Sequence, residues 1–296
     1  MPLLGAHKSI AGGFHQAARD AHALGCDTVQ VFTKAPNQWY GRDLVAQDIR
    51  LFRRALRETK VRCPIAHDSY LINVASPDEG LYRRSVEAFV AELLRAEGLG
   101  LHYLVTHPGA PLDSGEEAGL ARVAKALDEV HGRCPHVRVR VLLETTAGQG
   151  TTLGHRFEHL ARILSLIAAP ERFGVCFDTC HVYAAGYGLF PKRQYRATMR
   201  EFDRVIGLSK LRVFHVNDSV REQGDRVDRH AHIGRVRIGL EAFRLLVNDR
   251  RFRNRPMILE TPKEDGEEND MDAVNLAALR ALLAVPELTK TSGCRR

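Results

Sequence analysis

Chemistry enters this sequence at Gly174-Val-Cys-Phe-Asp-Thr-Cys-His181, an apolar run that ends on a carboxylate and an imidazole. Side chains alternate across a β-strand, so Cys176 and Asp178 share one face while Val175 and Phe177 share the other. His181 follows three residues after Asp178, beyond the expected strand end, and carboxylate beside imidazole suits a divalent cation. Alone, the pair reads equally as an Asp accepting backbone hydrogen bonds and an exposed loop His. Recurrence breaks the tie. Other apolar runs end at His67, His107, Glu144, His215 and Glu260, and a loop carries Asp228-Arg-His230.

If His67, His107, Glu144, Asp178, His181, His215, Asp228, His230 and Glu260 converge, they repel or take up protons unless cations neutralise them. Imidazole with carboxylate and no thiolate favours zinc, with manganese or iron as alternatives. A zinc ion takes three or four protein ligands, so a set this large implies more than one ion. Clustered cations suit phosphoester cleavage, because they lower the pKa of bound water to ~7 and neutralise charge on the phosphate and leaving oxygen.

The elements that would position these groups alternate along the chain. Leu3 to His7 reads as a strand, and a helix follows with Phe14, Ala17, Ala18, Ala21 and Leu24 on one face and a stop at Gly25. Thr28-Val-Gln-Val-Phe32 is the second strand. The next helix carries Ile49, Phe52 and Leu56, with Arg50, Arg53, Arg54 and Arg57 on a solvated face. Further strands are expected over 63–67, 101–107, 139–144, 173–178, 211–215 and 256–260, and proline closes the one ending at His107. Helical patterns occupy 81–98, 116–130, 155–168 and 192–208, and a last one carries Val274, Leu276, Leu279 and Leu282. Arg140 has the parity of Glu144 and is expected at the solvated bottom of its strand. Eight strands alternating with helical segments predict an α/β fold, a closed parallel (β/α)8 TIM barrel, with an open doubly wound sheet as runner-up. In the barrel every group named above sits at one mouth.

The 296 residues, 44% hydrophobic, allow two ordinary domains or one barrel-sized one, and no compositional break favours two. We expect one catalytic domain over 1–285 and a tail over 286–296. A net charge of +7 favours a polyanionic partner. Cys26, Cys63, Cys134, Cys176, Cys180 and Cys294 are scattered without paired zinc spacing and read as reduced, mostly buried thiols. The start of the chain turns polar too early for a secretory signal, and no run approaches the ~18 apolar residues of a membrane span. A cytoplasmic monomer is expected, nucleoid-associated if bacterial.

Several of these stretches together resemble the motifs of the endonuclease IV family of apurinic/apyrimidinic endonucleases. They are Ala66-His-Asp-Ser-Tyr-Leu-Ile-Asn73, Thr106-His-Pro-Gly109, Leu143-Glu-Thr-Thr-Ala-Gly-Gln-Gly150, Phe177-Asp-Thr-Cys-His181, His215-Val-Asn-Asp218, Val227-Asp-Arg-His230 and Leu259-Glu-Thr-Pro262. The similarity runs from Gly5 to the last helix. It implies a TIM barrel with three zinc ions that hydrolyses damaged double-stranded DNA 5′ to an abasic site, leaving a 3′-hydroxyl and a 5′-deoxyribose phosphate. Removal of 3′-blocking groups often accompanies this activity. By the same resemblance His67, His107 and Glu144 hold one zinc. Glu144 bridges to a second held by Asp178, His215 and Glu260, and His181, Asp228 and His230 hold the third. The catalytic groups are Glu144 and Glu260, the latter orienting the hydroxide that attacks phosphorus.

Two departures from the pattern bear on DNA contact. Asn37 stands where family members can place an arginine that enters the DNA, although Tyr70, the other probing position, is retained; Asn37 forgoes cationic stacking. Val236 replaces the second glycine of a Gly-x-Gly loop, flanked by Arg235 and Arg237, which offer phosphate contacts beside Arg229. Two competing classes are a sugar isomerase or epimerase, with one or two ions held mainly by carboxylates, and a catalytically dead DNA-binding barrel.

Overall fold

The protein is seen in a computed structural model, described over residues 1–264 and 270–284. Its short apolar runs form β1 (Leu3–His7), β2 (Thr28–Phe32), β3 (Ile65–His67), β4 (Tyr103–Thr106), β5 (Arg140–Glu144), β6 (Phe173–Asp178) and β7 (Leu211–His215). A small antiparallel pair, β8 (Asp218–Ser219) with β9 (His230–Ala231), precedes β10 (Pro256–Leu259). The helices are α1 (Phe14–Ala23), α2 (Ala46–Thr59), α3 (Glu79–Leu99), α4 (Glu116–Arg133), α5 (Phe157–Leu166), α6 (Thr179–Ala184), α7 (Lys192–Val205), α8 (Leu240–Val247) and α9 (Met271–Ala281).

β1 pairs in parallel with both β2 and β10, which closes the sheet in the order β1, β10, β7, β6, β5, β4, β3, β2. Closure removes the barrel's edges, so the structure is the expected (β/α)8 barrel and the open sheet is excluded. Alternation along the strands produces two separate apolar layers. Outward residues pack under the helices, including a run of rings in which Phe202 meets Phe157 at 5.2 Å and Phe177 at 5.9 Å. Inward, Ile65, Val105, Leu142, Cys176, Val213 and Ile258 fill the lumen as a separate plug, with Tyr103 packed against it. Polar inward residues lie above and below that plug.

Arg140 lies below it, as its parity requires. It is the register partner of Tyr103, and Gly174, next to Leu142, leaves room for Arg212. A Cβ on Gly174 would come within 2.8 Å of both the Arg212 Cγ and a Leu142 methyl. Above the plug sit Gln30, His67, Glu144, Asp178, His215 and Glu260, all on strands or at strand ends.

Three expectations need correction. His181 lies beyond the strand end as read, but the alternative of an exposed loop position fails, because it is buried within α6, a six-residue helix started by the Asp178 side chain, which accepts a 2.8 Å hydrogen bond from the His181 backbone N–H. The loop carrying Asp228-Arg-His230 is not a plain one, since His230 and Ala231 form β9 and tie it back to β8. Val274 points outward at 38% exposure, and Met271, Asn275, Leu276 and Leu279 face the barrel instead. The expected tail over 286–296, with Cys294, lies outside the described residues.

Candidate metal centre

Glu144, fully buried at the end of β5, is the hub. Its Oε2 lies 3.1 Å from His67 Nε2 and 3.2 Å from His107 Nε2. Its Oε1 lies 2.8 Å from His215 Nδ1 and 3.3 Å from His181 Nδ1. One carboxylate thus offers an oxygen to each of two neighbouring groups of ligands, as a bridging ligand must. His67, His107 and Glu144 place ligand atoms within 4.8 Å of one another, and so do Glu144, Asp178, His215 and Glu260. A third group surrounds Asp228, whose carboxylate lies 3.1 Å from His181 Nε2 and 3.3 Å from His230 Nε2. Asp178 also belongs to this third group, with His181 and His230.

Three of the imidazoles are oriented from outside by backbone carbonyls. His67 Nδ1 donates to the Asp68 carbonyl at 2.9 Å, His181 Nδ1 to the Thr145 carbonyl at 2.8 Å and His230 Nδ1 to the Glu260 carbonyl at 3.2 Å. A nitrogen facing a carbonyl must donate, so in the neutral ring the other nitrogen presents a lone pair inward. The inward nitrogens of His181 and His230 then face each other at 3.4 Å. Two lone pairs so placed repel, and a cation between them removes the conflict. The donor set therefore fits divalent metal.

Electrostatics agree. Burial would raise the Glu144 carboxyl, yet His215 and His107 hold it well below the usual carboxylate range. Glu260 behaves alike, burial being outweighed by His215. Burial would lower His67, but Glu144 beside it brings it up to about 9. His181 and His215 are likewise raised well above the ordinary imidazole value against the pull of burial. Burial would raise Asp228, and His181 overrides it and brings the carboxyl down to about 2. With no metal bound, protons on His67, His181 and His215 supply the positive charge that this cluster attracts.

Two thiols are closer than the sequence suggested. Cys176 lies within ligand distance of Glu144 and His215, and Cys180 within that of Asp228 and His230. Burial pushes both up to about 12, so they stand as neutral thiols and not thiolates near pH 7. The sequence reading took the site to lack thiolate, whereas the structure sets both thiols beside its proposed ligands.

Sequence reasoning missed the residues that hold the ligands. Asn217, fully buried, donates through Nδ2 to Asp178 Oδ2 at 2.7 Å and accepts from the Glu260 backbone N–H at 2.9 Å. Asp218 gathers the backbone N–H groups of Val236, Ile238 and Gly239 and so ties down the arginine loop. Gln30 and His7 contact Glu260 from β2 and β1. The signal was available for Gln30, because in Thr28-Val-Gln-Val-Phe32 it has the parity of a lumen residue in the middle of an apolar strand.

The centre opens into a cleft of about 440 Å3 lined by His67, Tyr70, His107, Asp228, Arg229 and Glu260 among others. Tyr70 is 69% exposed and packs edge-on against Phe32 at 5.4 Å. Asn37 is exposed on the neighbouring loop, which Ser69 ties to Tyr70's own loop by donating to the Pro36 carbonyl at 2.6 Å. Arg229, Arg235 and Val236 are exposed. Arg237 is not free, because it pairs with Glu222 at 3.1 Å, which leaves Arg235 as the readier phosphate contact of the two.

Comparison with known proteins places this geometry. Residues 18–282 match the family described as xylose isomerase-like TIM barrel. A protein named probable endonuclease 4 from Chloroflexus aurantiacus is 49% identical over 283 residues, covering 96% of this chain and 99% of its own. The crystal structure of endonuclease IV from Thermus thermophilus superposes with a TM-score of 0.84 at 35% identity, covering 95% of this chain and 98% of that one. A D-psicose 3-epimerase structure, with a TM-score of 0.65 at 14% identity, covers 94% of each chain and shares the fold alone. The motifs, the closed barrel and these full-length likenesses lead to one conclusion: the chain belongs to the endonuclease IV family, within the xylose isomerase-like TIM barrels.

Proposed function

We propose that this protein is a zinc-dependent DNA repair endonuclease that hydrolyses the phosphodiester 5′ to an abasic site, leaving a 3′-hydroxyl and a 5′-deoxyribose phosphate. Removal of 3′-blocking groups is a second use of the same chemistry. The observation that carries the reading is Glu144, with one oxygen facing His67 and His107 and the other facing His215 and His181. His67, His107 and Glu144 would hold one zinc; Glu144, Asp178, His215 and Glu260 a second; His181, Asp228 and His230 a third. When bound, the cations supply a water acidic enough to ionise near neutral pH and neutralise charge on the phosphate.

The chain's own residues do the rest. Glu260, held through Oε1, keeps Oε2 turned toward His215 Nδ1 at 3.1 Å, where it can orient the attacking water. Tyr70 presents a ring at the cleft on which the DNA at the lesion can stack. Asn37 probes from the adjoining loop, and Arg229 and Arg235 supply phosphate contacts, which Arg237 joins on release from Glu222. The partner is damaged duplex DNA, and the protein acts as a monomer in the cytoplasm.

The test is incubation of purified protein with a duplex carrying one abasic site, with and without chelator, followed by mapping of the cut ends. Cleavage 5′ to the lesion that chelator abolishes and zinc restores is expected. Cleavage indifferent to chelator, or one or two magnesium or manganese ions per chain with no cleavage, would replace this reading with another activity on the same barrel.

A further inference from the structure

None of the nine proposed ligands comes from β1 or β2, although both strands line the lumen beside the centre. What β2 contributes is Gln30, which is 0% exposed, so no water competes for its amide. Its Nε2 lies 2.6 Å from Glu260 Oε1 and 3.0 Å from His7 Nδ1, and its Oε1 lies 2.8 Å from His215 Nε2. An ionised carboxylate only accepts, so the amide must turn its N–H groups to Glu260 and its oxygen to His215. Flipping the amide would set two oxygens against each other at the 2.6 Å contact. An amide oxygen only accepts, so His215 must carry a proton on Nε2. Its Nδ1 is then the nitrogen left to face Glu144 Oε1 at 2.8 Å and Glu260 Oε2 at 3.1 Å.

We propose that Gln30 is a positioning residue that selects the nitrogen His215 turns to the metal and the oxygen Glu260 keeps free for it. This rests on the reading of the centre as a metal site. A single amide bridges two ligands of one proposed ion and touches none from the other two groups. His67, His181 and His230 are oriented by backbone carbonyls, which no substitution removes; His215 alone among these four relies on a side chain. The orienting hydrogen bond of a metal-binding histidine is commonly worth about 10–100-fold in metal affinity. Gln30 should therefore govern the ion held by Asp178, His215 and Glu260 and leave the others alone.

The wild-type protein loaded with zinc provides the first measurement. Nitrogen NMR of its histidines should show His215 protonated at Nε2 and metal-bound through Nδ1; His215 bound through Nε2 overturns the assignment without any variant. The second measurement compares wild type with Gln30→Met, which keeps the length of the side chain and removes its hydrogen bonds. Chelator competition should find one zinc bound about 10–100-fold more weakly and the remaining zinc unchanged. Turnover of an abasic duplex should fall with KM little altered, since the DNA contacts are intact. If Gln30 merely fills space, Gln30→Met will match wild type in all three zinc affinities and in turnover, and the proposal fails while the metal reading stands. If wild type itself binds no zinc, both fail together.

Discussion

At the residue scale the centre is a contest between burial and mutual charge, and Glu144 decides it. Glu144→Ala removes an oxygen from two ligand groups at once, so we expect loss of two bound zinc ions, read by metal analysis, and loss of abasic-site cleavage. A second buried histidine behaves in the opposite sense. His131, on α4, donates through Nδ1 to the Leu127 carbonyl, while its Nε2 has no hydrogen-bond partner among the described residues. Burial, aided by Arg172, brings its pKa down to about 4. The unfolded chain, with imidazole near 6.5, binds the proton more readily, so this contribution is complete above pH 6.5 and is lost as pH falls toward 4. His131→Leu should flatten the decline of unfolding free energy between those pH values and change little above about pH 7. Denaturant titrations across that range check it.

At the element scale, what could be read from the chain depended on periodicity. The ends of apolar runs put Asp178, Glu144 and Glu260 at one barrel mouth, and the structure has them there because the lumen offers a polar layer above an apolar plug. Strand alternation applied to Gln30 would have found it, but an uncharged side chain inside an apolar run suggests no chemistry by itself. Six-residue α6 and two-residue β8 and β9 are too short to show a period; α6 exists because Asp178 caps it, and β9 because β8 is there to pair with it. Val274 fits a helical spacing, yet Asn275 takes the inward position because its Nδ2 donates to Thr261 Oγ1 and to the Met271 carbonyl. Packing of helix on sheet is best tested at Phe202 of α7, fully buried between Phe157 and Phe177. Phe202→Ala should cost about 3–5 kcal/mol of stability, seen as a lowered denaturant midpoint at unchanged slope.

At the scale of the whole molecule, the charge of +7 matters through how the protein meets its substrate. Arg229 at the cleft and Arg235 on the loop after β9 are exposed, so each can displace a counterion from a DNA phosphate. Arg229→Ala and Arg235→Ala should each weaken duplex binding and reduce the slope of log affinity against log salt by about 1. Equal slopes for wild type and variants would remove these two from the interface. Closure of the barrel has a consequence of another kind. β1 obtains its second neighbour only when β10 has been made, and Glu260 follows directly after β10. At roughly 5–20 residues per second on the ribosome, the first strand waits on the order of tens of seconds with one flank unpaired. The nascent polypeptide therefore acquires its last proposed zinc ligand at the moment its final seam can join, which makes loading of the full set of ions an event that follows synthesis of β10.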